Sequence, residues 1–189
     1  MGANYSPVLA DICLSHIEYA YMKMHPDQAR RLGLTTRYID DLLSVGTDAL
    51  KEFAGEIYPD SLPLSFDDTS NGTAHYLDLM IDRNTKTIDL FDKRKDFQFE
   101  VIRFTDASSN VPRSMALNVL YSQTIRLARI CSNEQDFKRN MKNLAYLMQS
   151  KGYAKTEVTR TFCKVRKKYP ALFLRHKIKG TRDIQHILG

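Results

Sequence analysis

The stretch Arg37-Tyr38-Ile39-Asp40-Asp41-Leu42-Leu43 sets two adjacent carboxylates between two apolar runs. Neighbouring acids at the tip of an apolar hairpin repel one another and are costly unless something neutralises them. A hard divalent cation does so, and Mg²⁺ favours one or two carboxylates together with substrate phosphates. In a two-metal site such cations clamp the attacking and leaving oxygens of an in-line phosphoryl displacement. An Asp-Asp pair by itself is usually a polar turn. A Tyr-x-Asp-Asp core flanked by apolar strand residues is much rarer, which makes Asp40 and Asp41 the candidate metal ligands.

Particular elements must present that turn. The pattern predicts a helix over residues 7–24, with Ser6 as N-cap and Pro7 in the first turn. Val8, Ile12, Ser15 and Tyr19 form its expected stripe, with Leu9, Cys13, His16 and Ala20 beside it, and Pro26 ends it. Short strands are expected over 34–38 and 42–45, flanking the acids. Thr47 or Asp48 caps a second helix reaching about Ile57. A hairpin pairs 76–81 with 86–91, and a further strand covers 97–104. After Ser109 the period becomes helical. Three helices are expected, over 113–131, from Asn133 to a stop at Gly152, and over 155–168. The basic tail beyond them is weakly patterned and expected to be partly frayed. The fold class is α+β, with domains at 1–111 and 112–189.

Charge divides the chain in the same place. Of 28 Lys and Arg against 22 Asp and Glu, the part up to Val111 carries a net of −7 and the rest +13. A surface rich in Lys and Arg displaces condensed counterions from nucleic acid. Cys13, Cys131 and Cys163 stand far apart without a Cys-x-x-Cys pair. That supports neither a disulfide framework nor a structural zinc site, and Cys13 and Cys131 read as buried small hydrophobes. No apolar run approaches the roughly 20 residues of a membrane helix. No secretory leader pattern opens the chain, so the expectation is an intracellular protein, nuclear or cytoplasmic, with no membrane partner. Met1-Gly2 with Ser6 formally matches a myristoylation signal, and Asn4-Tyr5-Ser6 and Asn71-Gly72-Thr73 match glycosylation acceptors. All three are read as chance.

The Tyr38-Ile39-Asp40-Asp41 box resembles motif C of reverse transcriptases. Met1-Gly2-Ala3-Asn4-Tyr5-Ser6-Pro7, with Leu9-Ala10-Asp11 and Glu18, is similar to their motif B. His75-Tyr76-Leu77-Asp78-Leu79 resembles the strand that follows in retroelement enzymes. Asp92-Lys93-Arg94, Ser109-Asn110-Val111-Pro112, the stretch from Ser122 to Arg129 with Cys131-Ser132, Phe137 and Gly152-Tyr153 look like the post-palm region of Penelope-like and related elements. The resemblance covers nearly the whole chain. It is most specific at motif C.

The resemblance implies a partial polymerase palm, a helix plus antiparallel strands, followed by a three-helix thumb-like lobe. The activity implied is RNA-directed DNA polymerase, adding deoxynucleotides to a primer 3′-hydroxyl with Mg²⁺. Asp40 would ligate metal with Asp41 as its acidic neighbour. Tyr38, Gly2, Ser6, Pro7 and Lys93 would line the nucleotide and primer side. Arg126, Arg129, Lys164, Arg166, Lys167 and Lys168 would grip an RNA or DNA template–primer duplex. Deoxynucleoside triphosphates are the implied small-molecule partners. The residues begin inside motif B, whereas the family pattern carries a further metal-binding aspartate in motif A. The expectation is a truncated product or a piece of a larger protein, inactive alone. The alternative is a non-catalytic nucleic-acid-binding module that uses the basic lobe, since 113–168 also has a helix-turn-helix look. A metal-dependent phosphodiesterase ranks last, because no third ligand or base is visible.

Overall fold

The computed structural model describes residues 5–67, 69–99 and 101–189. The chain is α+β, with small antiparallel sheets, and divides into two compact units, Met1–Leu77 and Asp78–Gly189.

The first unit opens with α1 (Ser6–Met24) and α2 (Pro26–Arg31). Each carries proline in its first turn, where a missing N–H costs nothing. Ser6 lies inside α1 rather than capping it, and Tyr5 occupies the N-cap without a side-chain bond. Strands β1 (Thr35–Tyr38) and β2 (Asp41–Ser44) form an antiparallel hairpin, with Thr35 opposite Ser44 and Tyr38 opposite Asp41. Helix α3 (Ala49–Ile57) follows, its start held by the Thr47 hydroxyl, which accepts from Ala49 N at 3.0 Å. Strand β3 (Thr73–Tyr76) closes the unit. Its core is Tyr21, Ala49, Phe53, Ile57 and Tyr58, with Leu14, Ile17, Leu32, Leu42 and Leu64 packed around them.

The buried face of α1 therefore differs from the expected one. Leu14, Ile17 and Tyr21 face the core, while Val8, Ile12 and Tyr19 are exposed and so is Cys13. The helix is apolar nearly all round, so two stripes of helical spacing competed, and periodicity alone does not choose between them.

The second unit begins with the hairpin β4 (Leu79–Asp82) and β5 (Thr87–Leu90), in register from Leu79–Leu90 to Asp82–Thr87. The Asp82 carboxylate accepts from Asn84 N and Thr85 N and shapes the turn. The expected strand over 76–81 is interrupted, because Leu77 adopts φ +55°. A short 3₁₀ helix covers Lys93–Asp96. The described residues of 97–104 form no strand; Phe97, Phe99 and Ile102 are exposed and only Phe104 enters the core.

Helices α4 (Arg113–Ile130), α5 (Glu134–Ser150) and α6 (Lys155–Lys168) match the expected spans closely. Asn133 caps α5 by accepting from Asp136 N at 2.8 Å. Gly152, at φ +81°, turns the chain between α5 and α6 as only glycine does without strain. The tail is not frayed. It forms α7 (Pro170–Arg175) and α8 (Thr181–Leu188), so the lobe has five helices rather than three. Phe173, Ile178, Ile184 and Ile187 are buried in the same core as Leu120, Phe137, Met141, Phe162 and Val165. Asp183 caps α8, accepting from Lys179 N and Gly180 N.

The hairpin belongs to this unit because it bonds the helices. Ser132 N donates to Ile88 O at 2.9 Å, and Ile88 N donates to the Ser132 hydroxyl at 2.8 Å. Buried Asp89 accepts from Arg139 and Asn140 at 2.5 and 2.7 Å. The change of period near Val111 thus falls within the second unit. No described helix is long and apolar enough to cross a membrane.

Candidate functional site

The β1–β2 hairpin presents the acid pair on a two-residue turn of Ile39 and Asp40. Asp41 is the first residue of β2, paired with Tyr38 at the end of β1. Ile39 adopts φ +57°, a conformation that is an outlier for a β-branched residue. Such strain costs on the order of 1–3 kcal/mol and persists only where surrounding contacts enforce it.

Arg37 supplies those contacts. Its Nη1 donates to Ile39 O at 2.9 Å and to Asp11 Oδ1 at 2.8 Å. Its Nε donates to Glu18 Oε1 at 2.7 Å, and its Nη2 to the Ser15 hydroxyl at 2.8 Å. The Arg37 side chain is 10% exposed. Burial works against its charge, but the bonds to Glu18 and Asp11 outweigh it and hold the guanidinium above its ordinary value. Tyr58 donates to the same Glu18 oxygen at 2.7 Å, and burial followed by that carboxylate pushes its phenol upward. Asp11, Ser15 and Glu18 recur at helical spacing on one face of α1, a polar stripe in an apolar helix. That stripe was the legible sign of a buried cation.

Asp40 and Asp41 are both exposed, and Tyr38 is 57% exposed. Ser6 and Pro7 stand exposed in the first turn of α1, and Gly2 lies outside the described residues. The structure brings Tyr38, Asp40 and Asp41 together on one turn. Lys93 is exposed and belongs to the second unit. The donor set fits one Mg²⁺ that takes its other ligands from water and substrate phosphates. It does not complete a two-metal site, since no group of three or more His, Cys, Asp and Glu placed to hold a metal occurs among the described residues.

The candidate nucleic-acid residues divide by environment. Arg126 is ion-paired with Asp78. Arg129, Lys164, Lys167 and Lys168 are exposed. Arg166 is turned inward: its Nη1 donates to Lys179 O at 2.8 Å and its Nε is buried. Arg160, which the helix-turn-helix alternative offers for groove contact together with Thr156, Thr159 and Lys164, is exposed on α6 with Lys164 and Lys167 at helical spacing. Cys131 is buried as expected, and burial with nearby Asp89 pushes its thiol up to about 12, which leaves it unreactive.

A family model described as the animal helix-turn-helix domain matches residues 103–162. The match spans α4, α5 and the first half of α6. Between α5 and α6 stands the four-residue turn Lys151-Gly152-Tyr153-Ala154, the length and glycine content common in that motif. No curated protein and no solved structure matches the chain.

Proposed function

We propose that this chain is the acid-hairpin portion of an RNA-directed DNA polymerase, joined to a basic helical lobe that holds the template–primer duplex. The observation that carries the reading is the Arg37 network. It ties Asp11, Ser15 and Glu18 on α1 to the turn presenting Asp40 and Asp41. These two stretches carry the resemblance to motifs B and C, so the likeness in sequence is also a contact in space.

Asp40 and Asp41 would hold Mg²⁺, which when bound neutralises phosphate charge. A two-metal reaction needs a further carboxylate. Tyr38 would lie beside the primer end or the nucleotide. Positioning and charge neutralisation do most of the work in such chemistry, and no protein nucleophile is needed. The helix-turn-helix likeness and the exposed cations of the lobe support nucleic acid as its partner.

A second reading is a non-catalytic nucleic-acid-binding module. It is favoured by the helix-turn-helix match and by the small donor set at the hairpin.

Binding of the full chain to an RNA-template–DNA-primer duplex separates the two. Mg²⁺ with the complementary deoxynucleotide is expected to tighten the complex. Asp40→Asn with Asp41→Asn is expected to remove that increment and leave Mg²⁺-free binding unchanged. Affinity indifferent to Mg²⁺, nucleotide and both substitutions would overturn the polymerase reading and leave the binding module.

A further inference from the structure

Helix α6 has two unlike faces. Val158, Thr161, Phe162 and Val165 are buried, and the first, third and fourth of these are wholly so. On the solvent side stand Thr156, Arg160, Lys164, Lys167 and Lys168. With a rise of about 1.5 Å per residue, Arg160 to Lys167 spans about 10 Å along the axis. None of these four cations forms a salt bridge with a described acid. The one acid of α6, Glu157, is engaged: it accepts from Arg113 at 2.8 Å and from Ala154 N at 3.0 Å. Lys168 Nζ lies 5.7 Å from the Tyr169 ring centroid.

Like charges at these spacings repel, and only Lys167 and Lys168, in the last turn, gain from the helix dipole. A strand of phosphates does gain, since duplex DNA carries one negative charge per roughly 1.7 Å of axis. The outward face carries no Asn, Gln, Asp or Glu, the side chains that pair with adenine and cytosine edges; its Arg and Lys suit phosphates and guanine edges alike, which a G·C-rich duplex distinguishes. It follows a short glycine turn as the second helix of a helix–turn–helix pair. We propose that this face is a sequence-independent grip on duplex nucleic acid, with Arg160, Lys164, Lys167 and Lys168 set against phosphates. Arg166 takes no part, because it serves the fold through Lys179 O. This rests on the reading of the lobe as nucleic-acid binding and specifies how it binds: by backbone charge rather than by base readout, the usual task of such a helix.

The test uses the full chain and short DNA duplexes, one rich in A·T pairs and one rich in G·C pairs. Four phosphate contacts predict a roughly hundredfold loss of affinity between about 50 and about 200 mM salt. The quadruple variant Arg160→Gln, Lys164→Gln, Lys167→Gln, Lys168→Gln is expected to reduce that loss to less than about tenfold. Its melting temperature does not fall below the wild-type value, since all four positions are exposed, their mutual repulsion is relieved and glutamine favours helix. Lys51→Gln, in the other unit, leaves the salt dependence as it was. Both duplexes bind alike. If wild type binds and the quadruple variant binds equally, the α6 grip is overturned while the nucleic-acid reading stands. A strong preference for one duplex sequence also overturns it, in favour of base readout. If wild type binds neither duplex at low salt, the nucleic-acid reading itself fails.

Discussion

Arg37 is the residue on which the acid hairpin depends. One guanidinium satisfies Asp11, Ser15, Glu18 and the Ile39 carbonyl, and it is nearly buried. Arg37→Met keeps much of the volume but leaves Glu18 without its cation and Ile39 without the bond that holds its positive φ. Removing one partner of a desolvated pair is costlier than removing both. Asp11 remains largely solvated, which moderates the effect. The expected destabilisation is about 2–4 kcal/mol, read by chemical denaturation. A change below about 0.5 kcal/mol would mean that the network does not hold the turn. The acid pair was legible in the sequence because Tyr-x-Asp-Asp between apolar strands is rare. The arginine beside it was not read as a partner, although Asp11, Ser15 and Glu18 mark the helix face that receives it.

At the scale of elements, α4 and the end of α7 meet through His176. Its Nε2 lies 3.0 Å from Ala128 O, its ring stacks on Phe137 at 4.2 Å between centroids, and it is fully buried. Burial, with the nearby charge of Arg175, holds the imidazole below its ordinary 6.5. The unfolded chain therefore takes up the proton first as pH falls. The contribution of neutral His176 is full above about pH 6.5 and is lost progressively below it. Stability of the full chain is expected to fall between about pH 7 and about pH 5, and the slope to flatten in His176→Gln, measured by denaturant midpoints. An unchanged slope in that variant would assign the pH dependence elsewhere. Element existence was well marked where capping signals and periodicity agreed, as at Asn133 and Gly152. It was poorly marked in the tail. Ile184 and Ile187 make only one turn of pattern, and they are buried in a core built largely by the earlier helices α4, α5 and α6. The absence of a strand among the described residues of 97–104 has the opposite cause. Alternating aromatics suit a strand, but strands need a partner edge, and Phe97 and Phe99 stack on each other instead.

Over the whole molecule, the charge asymmetry carries the functional argument. The part up to Val111 is net −7 and bears the acid turn; the remainder is net +13 and bears α6. Self-repulsion on that scale destabilises the lobe unless a polyanion offsets it. Composition revealed this division before any element was placed. It did not reveal that the β4–β5 hairpin joins the basic helices, because Ser132 and Asp89 make that link through bonds that leave no periodic trace. The most direct measurement is equilibrium binding of the full chain to a fluorescent RNA-template–DNA-primer duplex at rising salt. Tight binding at about 50 mM salt, weakening roughly a hundredfold by about 200 mM, is the predicted result. An absence of binding at low salt, or an affinity that salt does not change, would contradict it.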